Sequence, residues 1–96
     1  MALLSFEDPM TEEIFHGIHT HAIRKNIPPN ILIMAERKLD LLNGADSLET
    51  LNLIPANANE GVSRDAHGKH SIPIEGSWRL TFRWAKNGPE AIELKQ

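Results

Sequence analysis

Residues 78–84, Trp78-Arg79-Leu80-Thr81-Phe82-Arg83-Trp84, alternate apolar and polar side chains without a break. Successive side chains of a β-strand point to opposite faces of its sheet. This period of two therefore places Trp78, Leu80, Phe82 and Trp84 on one side of an extended strand and Arg79, Thr81 and Arg83 on the other. A helix would scatter the same residues around its circumference. The strand belongs in a sheet covered on one face and open on the other, the usual state of an antiparallel sheet. Turn signals bracket it, Glu75-Gly76 before and Lys86-Asn87-Gly88-Pro89 after, and Asn-Gly is a strong hairpin signal. Strands over 70–74 and 91–94 complete an antiparallel meander. Pro73 counts against the first of these, because it cannot donate to a ladder.

The N-terminal half reads as helical. Residues 29–43 carry Ile31, Met34, Ala35, Leu39 and Leu42 at helical spacing, with Glu36, Arg37, Lys38 and Asp40 on the other side and Asn43-Gly44 as a stop. A shorter helix is predicted over 9–15. Asp8 is its cap, Pro9 suits its first position, Glu12 and Glu13 favour the positive end of its dipole, and Gly17 ends it. Leu3-Leu4-Ser5-Phe6 reads as a first strand, and Asp46 or Ser47 as the start of one further turn through Leu51. Residues 55–69 are polar and long for a loop in a small domain, the kind of loop that usually carries function. Helices first and a meander last give an α+β chain. With 96 residues, one domain with one modest core is expected over 1–96.

Several function classes drop out. No apolar run approaches the roughly 20 residues that span a membrane. The opening residues lack a basic segment and a long apolar stretch, so no signal peptide is expected. There is no cysteine, which excludes disulfides and thiolate chemistry and suits a reducing cytoplasm, the expected location. The net charge of −3 argues against tight non-specific binding to nucleic acid. Charge is uneven, however. Residues 62–84 carry Arg64, Lys69, Arg79 and Arg83 against Asp65 and Glu75, with His67 and His70 beside them. His16, His19 and His21 have a spacing that permits metal ligation. No second ligand cluster supports it and Gly17 interrupts it, so they read as a surface linker, and neither metal nor cofactor is expected.

The helix segment Ala35-Glu36-Arg37-Lys38-Leu39-Asp40-Leu41-Leu42-Asn43-Gly44-Ala45 is followed by Ile54-Pro55 and a polar loop. Gly68-Lys69-His70-Ser71-Ile72, Ser77-Trp78-Arg79-Leu80-Thr81-Phe82-Arg83-Trp84 and Asn87-Gly88-Pro89 come after it. In this order and at these distances the chain resembles the HigB-type toxins of the RelE/ParE superfamily over most of its length. The resemblance implies a compact RelE-like fold, with N-terminal helices packed on a small, mainly antiparallel sheet. It implies growth inhibition by cleavage of mRNA on the translating ribosome, without a cofactor. It also implies a HigA-like helix-turn-helix antitoxin as partner, with operator DNA bound only through that antitoxin.

RNA cleavage by attack of a 2′-hydroxyl needs a proton acceptor, a proton donor and positive charge on the phosphate. Arg79 stands at the family's strand arginine and is the leading candidate, since a guanidinium makes a fixed bidentate phosphate contact. Its alternative is a solvated strand arginine paired with Glu75 or Glu93. His67, Lys69 and Glu60 are the other catalytic candidates, and Arg64, Lys69 and Arg83 join Arg79 as RNA-binding candidates; the alternative for each is a solvated surface position. Ala58 and Ala66 stand where the family often has basic residues. Leu94-Lys95-Gln96 stands where its members carry an acidic-Tyr-His tail, so that tail's acid/base chemistry is expected to be missing. These departures keep a second reading open, a RelE-fold chain of weakened or lost catalysis that serves as antitoxin partner or corepressor. A third is a small α+β domain of unrelated function.

Overall fold

The computed structural model describes residues 3–47, the backbone of 63–64, and residues 68–96. Three helices, α1 (Pro9–Phe15), α2 (His21–Asn26) and α3 (Pro29–Gly44), precede four strands, β1 (Ser63–Arg64), β2 (His70–Glu75), β3 (Trp78–Ala85) and β4 (Gly88–Lys95). The sheet is antiparallel throughout, in the order β1-β2-β3-β4. The expected α+β architecture is therefore the observed one. All three helices supply the core layer over the apolar side of β3. Ile14, Leu39, Leu42, Leu80, Phe82 and Ile92 are fully buried together, each contributing about 1.5–3 kcal/mol of hydrophobic free energy. Trp78 and Trp84 are half-buried at the two ends of the β3 stripe and pack against this core.

The helix boundaries follow local chemistry. Pro9 opens α1, where a missing amide hydrogen costs nothing. Asp8 takes the cap conformation, but its side chain makes no cap hydrogen bond, contrary to the expectation, and one carboxylate oxygen is buried without a partner. Gly17 follows at φ 76° and turns the chain away. The sequence reading passed over α2. The Thr20 hydroxyl caps it by accepting the Ile23 amide at 3.2 Å; Ile23 is buried within it, and Ile27, just past its end, is buried too. In α3, Leu32 and Lys38 are buried beside the expected Ile31, Ala35, Leu39 and Leu42, whereas Met34 is only half-buried. Lys38 thus leaves the polar side assigned to it. α3 meets α1 as well as the sheet, so its covered arc is wider than one stripe, and a lysine stem is apolar enough to lie there.

The long polar segment also differs from expectation. Ser63 and Arg64 form β1, with Ser63 opposite Ser71 and Arg64 opposite His70. The turn expected after Asp46 lies largely outside the described residues. Pro73 lies within β2, two residues past Ser71, whose pairing with Ser63 is the last between β1 and β2 among the described residues. Residues 4–7 do not form a named strand. They instead make a parallel bridge, Phe6 to Ile92, along the outer edge of β4. The Leu4 amide donates to the Pro89 carbonyl, Glu7 to Ile92, and Ile92 back to Ser5. In the next stretch the Leu94 amide donates to the Thr11 hydroxyl at 3.0 Å. An edge that would otherwise invite pairing with another chain is thereby closed.

One irregularity decides which side chains of β4 reach the core. Ala85 pairs with Gly88, Trp84 with Pro89 and Arg83 with Glu90, but Thr81 pairs with Glu93, Leu80 with Leu94 and Arg79 with Lys95. The two paired numbers sum to 173 in the first set and 174 in the second, so β4 carries one extra residue between Glu90 and Glu93. Ala91 lies there at φ 51°, a conformation rare for a residue with a Cβ. Continuing the first register would set Ile92 opposite Thr81 and Glu93 opposite Leu80. The bulge turns Ile92 and Leu94 inward and Glu93 outward instead.

Candidate nucleic-acid interface

The polar alternation of β3 puts Arg79, Thr81 and Arg83 on the sheet face away from the helices, and the pairing registers extend that face in rows. Arg83 stands across from Glu90. Thr81 stands between Ser71 and Glu93. Arg79 stands between Pro73 and Lys95. Lys69 immediately precedes His70, the β2 residue paired with Phe82, and so enters the sheet beside Arg83. The face thus gathers four cations, Lys69, Arg79, Arg83 and Lys95, and two carboxylates, Glu90 and Glu93.

Arg79 is half-buried and Arg83 exposed. Among the described residues the Arg79 guanidinium meets only the Ser77 carbonyl, through Nη1 at 3.4 Å, which is too long for a strong hydrogen bond. Neither Glu75 nor Glu93 pairs with it. Glu75 instead accepts from the Asn30 side chain at 2.6 Å, tying the β2–β3 turn to the start of α3. Among the described residues, ion pairs join His16 with Glu12 and His19 with Glu36. The guanidinium is consequently available to an outside anion. Thr81 departs from the expectation of a solvated face. It is only 5% exposed, and its hydroxyl has no hydrogen-bond partner.

The remaining candidates divide. Lys69 is half-buried and already engaged in an interaction. Arg64 belongs by register to the row of His70 and Phe82, while Ser63 belongs to the row of Ser71 and Thr81. Glu60 and His67 lie outside the described residues. His70 sits on the helix side of the sheet, its ring 5.7 Å from that of Phe82. His19 bonds Glu36, and among the described residues no three ligating side chains gather around a metal position. A groove of about 350 Å³ between α2 and α3, lined by His19, Arg24, Ile27 and Leu32 among others, is mostly apolar, and neither Arg79 nor Arg83 lines it.

From the sequence Glu93 was considered only as a partner for Arg79, and Lys95 was not singled out. The period-two pattern of residues 91–95 was visible, but their face depends on the extra residue at Ala91, which no turn or propensity signal announced.

A family model described as the RelE-like toxin HigB of type II toxin–antitoxin systems matches residues 4–94. The chain belongs to the HigB-like toxin family. It is also 30% identical over 81 residues to Toxin HigB-1 of Vibrio cholerae serotype O1 (strain ATCC 39315 / El Tor Inaba N16961), an alignment covering 84% of this chain and 82% of that toxin. The resemblance read from the β3 strand and the α3 segment is thereby shown. As a HigB-like toxin, the chain is the toxin half of a type II pair, and membership implies an antitoxin partner. Among the described residues no helix is long and apolar enough to cross a membrane.

Proposed function

We propose that this HigB-like toxin is an endoribonuclease acting in the cytoplasm on mRNA held by the ribosome, with residues 1–96 as a single toxin domain. The observation that carries this reading is the Arg79 guanidinium, half-buried on the open sheet face without a carboxylate partner. In the reaction, the 2′-oxygen attacks the neighbouring phosphorus and the bond from phosphorus to the 5′-oxygen breaks. The 2′-proton passes to a base and the leaving oxygen takes a proton from an acid, leaving a 2′,3′-cyclic phosphate. Arg79 holds the charge that builds on the non-bridging oxygens, where a fixed donor is worth most. Arg83 and Lys69 bind the flanking phosphates. Glu60, His67 and Lys69 are the proton-transfer candidates. No cofactor enters this scheme.

The partner is a HigA-like helix-turn-helix antitoxin, and operator DNA is reached only through it. A second reading, a chain of weakened or lost catalysis acting as antitoxin partner or corepressor, is favoured by the carboxylates Glu90 and Glu93 beside the arginines, which oppose an incoming phosphate. Induced expression in a bacterial host separates the two. Growth arrest that disappears with Arg79→Ala and is relieved by co-expressed antitoxin supports the nuclease. Antitoxin binding with no arrest from either protein supports the second reading.

A further inference from the structure

Thr81 is the residue whose environment makes least sense in the isolated chain. Its hydroxyl is buried and bonds to nothing, so it has lost its hydration without a hydrogen bond in return. It faces away from the helices, so the core does not explain it. Its neighbours along the strand are Arg79 and Arg83, and across the strands Ser71 and Glu93. A threonine hydroxyl can both donate and accept, and with no internal partner its proton is free to turn toward a ligand.

We infer that Thr81 is part of an oxyanion site, its hydroxyl donating to a phosphate oxygen that the Arg79 guanidinium also grips. The inference rests on the reading of this face as the RNA interface and deepens it. The ligand class is a phosphodiester, presented between Arg79 and Arg83. An O–H bond to a charged oxygen is short and strong, and it would satisfy a group that the free protein leaves unpaired. Ser71, across the β2–β3 ladder, lines the same row. Glu93 on the other side limits the site to a single phosphate, because a second negative charge would lie against its carboxylate. Thr81 is here a binding and positioning residue, distinct from the proton-transfer groups.

The test uses Thr81→Val and Thr81→Ser in the full chain. Two probes are titrated: a single-stranded RNA hexamer with 2′-O-methyl groups, which cannot be cut by 2′-attack, and inorganic phosphate. Hexamer binding is read by fluorescence anisotropy, phosphate binding by the chemical shift of the Thr81 amide, and the melting temperature is measured for every variant. The expected result is about tenfold weaker binding of both probes by Thr81→Val, binding within about twofold of wild type by Thr81→Ser, and a melting temperature of Thr81→Val at or above wild type. A gain in stability with a loss of binding is the signature of a hydroxyl kept for a ligand. Wild-type binding by Thr81→Val, with binding lost in Arg79→Ala, would overturn the inference and leave the RNA reading standing. Thr81-dependent binding of phosphate but not of the hexamer would support the oxyanion site and sink the RNA reading. Binding of neither probe by the wild type would overturn both. A clearly lowered melting temperature of Thr81→Val would show that the hydroxyl serves the fold, and would also overturn the inference.

Discussion

The Ser5 hydroxyl accepts the amide of Ala91 at 2.9 Å, and the Ser5 carbonyl accepts the amide of the next residue, Ile92. The N-terminal segment therefore holds the one residue of β4 that is out of register. Ala91 keeps a φ of 51° although its methyl disfavours it. Glycine at this position relieves the strain but adds freedom to the unfolded chain, so Ala91→Gly is expected to raise stability by no more than about 1 kcal/mol. Ala91→Val, β-branched at a positive φ, is expected to cost about 1–2 kcal/mol. Urea denaturation of the two variants checks the pair; a stability order with valine above glycine would contradict the bulge.

Closure of the β4 edge has its own test. Thr11 and Leu94 are both buried, and the Thr11 hydroxyl takes the Leu94 amide as its hydrogen bond across 83 residues of chain. Thr11→Val keeps the shape and strands that amide, with an expected loss of about 1–3 kcal/mol. Thr11→Ser is expected to retain most of the stability. Hydrogen exchange at the Leu94 amide reports the same event directly, since its protection should fall in the valine variant and persist in the serine variant.

Phe82 is the largest fully buried side chain and lies under the helices. Its truncation to alanine is expected to cost about 3–5 kcal/mol, whereas Arg83→Ala, one residue on and exposed, should change stability by less than about 0.5 kcal/mol. Calorimetric melting of the two variants tests whether adjacent residues of β3 really belong to opposite faces. Equal losses would count against the alternation on which the interface rests.

Much of this alternation was legible in the sequence, because residues 78–84 carry a strict period of two and residues 29–43 a helical one. The family was legible for the same reason, since both segments are long and in fixed order. Three features were not. α2 is one short helix with a single buried residue, Ile23, which gives no periodicity to read. β1 is two residues inside a polar stretch and exists only through pairing with Ser71 and His70. The faces of Glu93 and Lys95 depend on Ala91, and alanine carries no bulge signal. For the candidate site, Arg79 and Arg83 could be placed on one face from spacing alone. The burial of Thr81 between them could not, because the alternation assigns it to the solvent side of the sheet.

If Arg83 binds a phosphate of single-stranded RNA, its removal releases one phosphate contact. The slope of log K against log salt for the uncleavable hexamer is expected to become shallower by about 0.7 in Arg83→Ala, with binding weakened alike for different base sequences. An unchanged slope would place Arg83 outside the interface and leave Arg79 as the arginine of β3 that meets RNA.

The central claim is that the Arg79 guanidinium stabilises charge in the cleavage of mRNA. Its most direct test is the rate at which a reporter mRNA is cut on purified translating ribosomes by the wild-type chain and by Arg79→Ala. Loss of one such donor is expected to slow cleavage by about 10²–10³-fold while the melting temperature stays near wild type. Cleavage by Arg79→Ala at the wild-type rate, or no cleavage by the folded wild-type chain, would contradict it.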